Sequence, residues 1–198
     1  PGARNSEGRH AAAPAGMTGV TFGTFQLRYA PIRRRSDAPT ELRHGKRSPP
    51  MAPARVVQFT DLHLYGAADG KLRGIAVLPA LEATVAAAIR RHAPWHAVLL
   101  TGDLVQDDPS GYARVREVFG ASNLPVYCIP GNHDEPAPMR AALAEPPFQV
   151  CGTAHVGAWL LVMLDSYLHG SANGRVSAAE LERLDAALAA HPERHALV

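Results

Sequence analysis

Three short apolar runs in this chain each end abruptly in a cluster of polar, metal-competent side chains, and that repetition limits the fold more than any other feature. Val56-Val57-Gln58-Phe59-Thr60 runs into Asp61-Leu62-His63, and Ala97-Val98-Leu99-Leu100 runs into Thr101-Gly102-Asp103. Pro125 to Ile129 runs into Pro130-Gly131-Asn132-His133-Asp134. Short β-branched or aliphatic runs closed by Gly, Pro, Asn or Asp read as strands. Between them lie stretches with helical spacing. Leu78, Leu81, Val85 and Ile89 share one face of Leu78 to His92, with Pro94 just beyond, and Val115, Val118 and Phe119 share one face of Ser110 to Phe119. A short helix from Met139 to Ala144 and a fourth strand from Ala158 to Leu164, ending at Asp165, come next. The last helix spans Ser177 to Ala190, with Ser177 and Glu180 as a capping box and Leu181, Leu184 and Leu188 as its apolar face. Strands alternating with helices predict an α/β fold with at least partly parallel pairing.

The length of 198 residues suits one domain of ordinary size, and 46% hydrophobic with 19% charged residues suits a soluble globular one. No apolar run approaches the roughly 18 residues that span a bilayer. Cys128 and Cys151 fit neither a zinc spacing nor a disulfide framework, so a reducing cytoplasm is the expected compartment. Cys128, inside an apolar run, reads as a small buried hydrophobe.

Charge divides the chain in two. Residues 1–50 hold nine Lys/Arg against three Asp/Glu, a balance of +6, and residues 51–198 hold eleven against fifteen, a balance of −4; together they give the net +2. Residues 1–50 lack apolar periodicity and read as a disordered basic leader, not native to the protein, with Met51 as the natural start of a domain over 51–198. The run Arg33-Arg34-Arg35 leads into no apolar core, which excludes a secretory signal; a nucleic-acid- or membrane-binding arm is the alternative reading. The acidic body has no electrostatic footprint for nucleic acid.

The three polar clusters carry the chemistry. In an extended segment residues two apart point to the same side, so Asp61 and His63 can share one ion. Gly102 permits close backbone approach where Asp103 follows. In open α/β sheets ligands bind beyond the carboxyl ends of the strands, where all three clusters fall. Carboxylate, imidazole and an Asn carbonyl oxygen suit Mn, Fe or Zn. Two such ions about 3.5–4 Å apart can clamp a phosphoryl group and activate a water for in-line attack. Each cluster alone also reads as a turn or a cap. Three in this order, each closing an apolar run, are a different matter.

The series Asp61-x-His63, Gly102-Asp103 and Gly131-Asn132-His133-Asp134 resembles the opening motifs of the calcineurin-like metallophosphoesterases, from about Val56 to the end of the chain. Phe59 to Leu64, Leu100 to Asp107, Pro125 to Asp134 and Gly174-Arg175-Val176-Ser177 are similar to bacterial class III cyclic nucleotide phosphodiesterases. The resemblance implies a β-sandwich flanked by helices, of which this chain would hold the first half to two-thirds. It implies that Asp61 and His63 bind a first metal, that Asp103 bridges both, and that Asn132 binds the second and contacts substrate phosphate. His133 would contact substrate and protonate the leaving group, with Asp134 placed to orient it. The implied substrate is a small phosphoester, cAMP first among them, with another nucleotide, a phospholipid headgroup or a phosphoprotein as the alternative.

The resemblance also implies three further histidines, one on a strand after the last helix and two in a Gly-His-x-His motif, and this sequence shows neither. The second metal is then expected to bind hardly at all, and two-metal catalysis to be absent or feeble. His92, His96, His155, His169, His191 and His195 read as solvated or structural rather than as recruited ligands. Sheet faces left uncovered predict poor solubility, partial unfolding or self-association as a homo-oligomer. A non-catalytic binding module is the reading from outside the enzyme class, and the retained Asp61, His63, Asp103, Asn132 and His133 speak against it.

Overall fold

A computed structural model of the chain describes residues 53–198 and a strand at 21–27. In chain order the strands are β1 (Thr21–Leu27), β2 (Ala54–Thr60), β3 (Lys71–Leu72), β4 (Ile75–Ala76) and β5 (Ala97–Thr101). β6 (Val126–Ile129), β7 (Phe148–Val150), β8 (Gly152–Val156), β9 (Trp159–Met163) and β10 (His195–Leu197) follow. The helices are α1 (Val77–His92), α2 (Tyr112–Phe119), α3 (Pro136–Ala142) and α4 (Ala178–Ala190).

A five-stranded sheet runs in the order β1-β2-β5-β6-β7, and a three-stranded sheet in the order β10-β9-β8. β2, β5, β6 and β7 are parallel, so their carboxyl ends lie along one edge. Alternation along these strands divides the core. Val57, Phe59, Val98, Leu100, Val126 and Cys128 face the helical side with Leu81, Val115, Phe119 and Met139. Their neighbours Ala54, Val56, Ala97, Leu99 and Tyr127 pack instead with Val156, Leu161 and Met163 of the smaller sheet. A strand with both faces apolar must be covered on both sides, which is why the runs read as continuous rather than alternating. The result is the expected α/β sandwich with helices on its outer face.

The elements depart from the sequence reading at several points, and Ile89, read on the apolar face of the first helix, is 50% exposed. The first point concerns the leader, read as disordered: Thr21–Leu27 lies antiparallel along β2, pairing Thr21 with Thr60 through Leu27 with Ala54. It is rich in β-prone Thr and Phe, and it pairs an edge of β2 that would otherwise present unpaired backbone groups. The rest of that segment, including Arg33-Arg34-Arg35 and Met51, lies outside the described residues. Second, β7, β8 and the β3–β4 hairpin were not expected. Third, the helix read as Met139–Ala144 begins at Pro136, a residue suited to the first helical turn because it lacks the N–H left unpaired there. Fourth, α4 buries none of its residues, and Leu181 and Leu188 are 50% and 39% exposed. Its capping box is half made. Ser177 accepts from the Glu180 N–H at 3.2 Å, while the Glu180 carboxylate turns to the Asp165 N–H at 2.9 Å and to Arg183. Among the described residues, no helix is long and apolar enough to cross a membrane.

Candidate metal centre

The loops leaving β2 and β5 are laced together as they leave the sheet. The N–H of Asp61 donates to Gly102 O at 3.1 Å, that of His63 to Asp103 O at 2.9 Å, and that of Leu64 to Leu104 O at 3.0 Å. β5 and β6 meet through glycines. A Cβ on Gly102 would sit 2.9 Å from Gly131 Cα, and one on Gly131 would sit 2.2 Å from Asp103 Oδ1. Only hydrogen fits at either place, so the two strand ends approach as closely as backbones can. Asp61, His63, Asp103 and Asp107 all lie in the left-handed region, with φ of 58°, 47°, 52° and 52°. Holding a non-glycine residue there costs on the order of 1–3 kcal/mol, and such strain gathers at functional sites.

Side chains converge at these strand ends. One ligand atom each from His63, Asp103 and His133 lie within 4.8 Å of one another. The His63 and His133 rings stand edge to face, 5.2 Å between centroids. The Asp103 carboxylate also accepts the His133 N–H at 3.1 Å, joining the second cluster to the third. Asp61 stands at the margin: its Oδ1 is 3.8 Å from His63 Nε2, Thr60 Oγ1 donates to its Oδ2 at 2.8 Å, and its side chain is 48% exposed. Asn132 is exposed on the turn that follows Gly131. Thus the structure draws His63, Asp103 and His133 together, with Asp61 beside them and Asn132 on the rim.

These residues fit a divalent transition metal. Imidazole and carboxylate are the donor types such ions prefer. His63 Nδ1 is buried and without a hydrogen-bond partner, a polar atom whose desolvation an ion nearby would offset.

The carboxylate within hydrogen-bond reach of the His133 ring is Asp107, and Asp134 makes its bonds elsewhere. His133 Nδ1 lies 3.0 Å and 3.1 Å from the two oxygens of Asp107, and Gln106 Nε2 donates to Asp107 at 2.8 Å. The hydrogen bond from His133 holds the Asp107 carboxyl below its usual range. An imidazole whose Nδ1–H is given to Asp107 keeps Nε2 for other work. Asp134 faces inward, 1% exposed, and takes the N–H groups of Leu104, Val105 and Gly131 together with the Tyr112 hydroxyl. Burial pushes its carboxyl above the usual range, against hydrogen bonds that pull it down. Adjacency in sequence suggested Asp134 as the partner, but the turn sends His133 and Asp134 to opposite sides. Asp107, Gln106 and Tyr112 were missed as site residues. The acidic residue four after Asp103 was the one available signal.

Among the described residues, other histidines lie elsewhere. His96 Nδ1 accepts the Arg55 N–H at 2.9 Å, His155 meets His191 edge to face at 4.8 Å, and His195 stands 5.4 Å from Trp159. His169 lies 3.3 Å from the Tyr167 hydroxyl.

Comparison with known proteins agrees with this geometry. The profile described as calcineurin-like phosphoesterase matches residues 54–184. The 3',5'-cyclic adenosine monophosphate phosphodiesterase CpdA of Haemophilus influenzae is 33% identical over 146 residues, which is 73% of this chain and 53% of that protein. The protein of the same name from Escherichia coli K12 is 34% identical over 150 residues, 74% of this chain and 54% of its own. That of Pseudomonas aeruginosa is 31% identical over 157 residues, 79% and 57%. The chain spans about half the length of the curated relatives it matches.

Proposed function

Because the chain belongs to the calcineurin-like phosphoesterase family, we propose that it supplies the metal-binding and proton-donating residues of a cyclic nucleotide phosphodiesterase acting on 3',5'-cAMP. The observation that carries this reading is the convergence of His63, Asp103 and His133 within 4.8 Å, with Asp107 behind His133. The substrate follows the names of the relatives, which are cAMP phosphodiesterases.

In this reading Asp61, His63, Asp103 and Asn132 would hold two divalent ions, Mn, Fe or Zn. Bound there, such ions polarise the phosphoryl group and lower the pKa of water. The protein's own residues do the rest. Asp107 accepts the Nδ1–H of His133 and thereby stabilises the imidazolium. The proton on Nε2 would then pass to the departing ribose oxygen as a water oxygen bonds to phosphorus and the P–O ester bond breaks. Gln106, donating to Asp107, keeps that carboxylate turned toward the ring. Asn132, exposed on the rim, contacts the phosphate. The chain's two cysteines are free thiols, which supports a reducing cytoplasm as its compartment.

The test is an assay of this chain with Mn²⁺ against cAMP and bis(p-nitrophenyl) phosphate. Slow hydrolysis of both, falling by about 10²–10⁴-fold in His133→Ala with Mn²⁺ still bound, is the expected result. Cleavage of the synthetic diester without cAMP would keep the phosphoesterase and remove the cyclic nucleotide. A chain holding two equivalents of Mn²⁺ that cleaves neither would remove both.

A further inference from the structure

Tyr112 and Asp134 take no part in the chemistry above, yet they are a buried polar pair that reaches two of the three ligand loops, those after β5 and β6. Tyr112 is 0% exposed and Asp134 1%. The Tyr112 hydroxyl donates to Asp134 Oδ1 at 3.1 Å and accepts the Glu135 N–H at 3.0 Å. Asp134 takes the Leu104 N–H at 3.1 Å and 3.2 Å on its two oxygens, the Val105 N–H at 3.3 Å, and the Gly131 N–H at 2.8 Å. Leu104 directly follows Asp103, and Gly131 directly precedes Asn132. One carboxylate therefore holds the backbone beside the ligands of two different strands, and one phenol anchors that carboxylate to α2. Buried networks of this kind hold their geometry because each member would otherwise be an unpaired polar group in a low-dielectric core.

We propose that Tyr112 and Asp134 are positioning residues, a clasp that sets the separation of Asp103 from Asn132 and His133, so that metal affinity depends on a phenol that does not touch the ion. This rests on the metal reading of the site. It differs from a plain packing role in what it predicts. Tyr112→Phe keeps the ring and its contacts but leaves Asp134 one donor short and the Glu135 N–H without its acceptor. Losses of 10–100-fold in metal affinity are typical when the groups that orient metal ligands are removed.

The experiment is calorimetric titration of the full chain with Mn²⁺, with the Mn²⁺ electron paramagnetic resonance spectrum as second readout. Tyr112→Phe is expected to weaken Mn²⁺ binding about tenfold and to alter the spectrum. Asp134→Asn should weaken it at least as much, and the double variant should be no worse than Asp134→Asn alone. Val115→Ala, which removes buried apolar volume from the same helix, should lower stability and leave affinity and spectrum unchanged. A Tyr112→Phe chain that binds Mn²⁺ like the parent overturns the clasp alone. So does Val115→Ala weakening Mn²⁺ as much as Tyr112→Phe, because stability would then be the cause. A parent chain that takes up no Mn²⁺ overturns the metal reading and the clasp with it. Hydrogen exchange of the unaltered chain keeps the question open to refutation if Tyr112→Phe does not fold. Mn²⁺ should then slow the amides of Leu104, Val105, Gly131 and Glu135 together, and slowing that spares Glu135 counts against the clasp.

Discussion

α1 and α4 carry the same kind of leucine pattern and meet different fates. α1 buries Val77, Leu78, Ala80, Leu81, Thr84 and Ala88, whereas α4 buries nothing. α1 is part of the apolar layer against the larger sheet, together with Phe59, Leu100 and Phe119. α4 is attached by polar bonds: Ser177 caps it, Glu180 accepts the Asp165 N–H, and Arg183 donates to Met163 O at 3.0 Å. Periodicity shows which face of a helix is apolar; what covers that face is a property of the fold. The metal loops belong to the first region. Their strained backbone is tolerable because the sheet and helices beneath them are well packed.

Urea unfolding followed by circular dichroism can break this contrast or sharpen it. Phe59→Ala, at a fully buried ring packed 5.4 Å from Phe119, should cost about 4 kcal/mol. Leu81→Ala on α1, equally buried, should cost about 3 kcal/mol. Gly131→Ala forces a Cβ against the Asp103 backbone N at 2.4 Å and should cost about 2 kcal/mol. It should also weaken Mn²⁺ binding, which neither core variant does directly. Ser177→Ala removes the α4 cap and should cost about 1 kcal/mol. Leu188→Ala, at an exposed position, should stay within about 0.5 kcal/mol. If Leu188→Ala costs as much as Leu81→Ala, α4 is covered by something and the contrast fails.

Much of the fold was legible because its central strands are short, apolar and sharply terminated. β2, β5, β6 and β9 were read within about two residues of their ends, and so were α1 and α4. β7 was not, because three residues after Pro146-Pro147 carry too little pattern. β8, Gly152-Thr153-Ala154-His155-Val156, opens on glycine and includes a histidine, and it is a strand only by virtue of pairing with β9. At the site, Asp61, His63, Asp103, Asn132 and His133 were legible as clusters at strand ends. The role of Asp134 was not. Its partners Leu104 and Tyr112 lie 30 and 22 residues away, and its neighbour His133 pairs with Asp107, 26 residues away. Sequence shows which residues share a turn, while the turn's dihedral angles decide which way each one faces.

The central claim is that three strand ends assemble one metal centre. Metal content by mass spectrometry, on the chain purified without chelator beside Asp103→Ala, tests it most directly. At least one equivalent of Mn, Fe or Zn in the parent, lost in Asp103→Ala, is the predicted result. An equal content in both, or none in the parent even after loading with Mn²⁺, would contradict it.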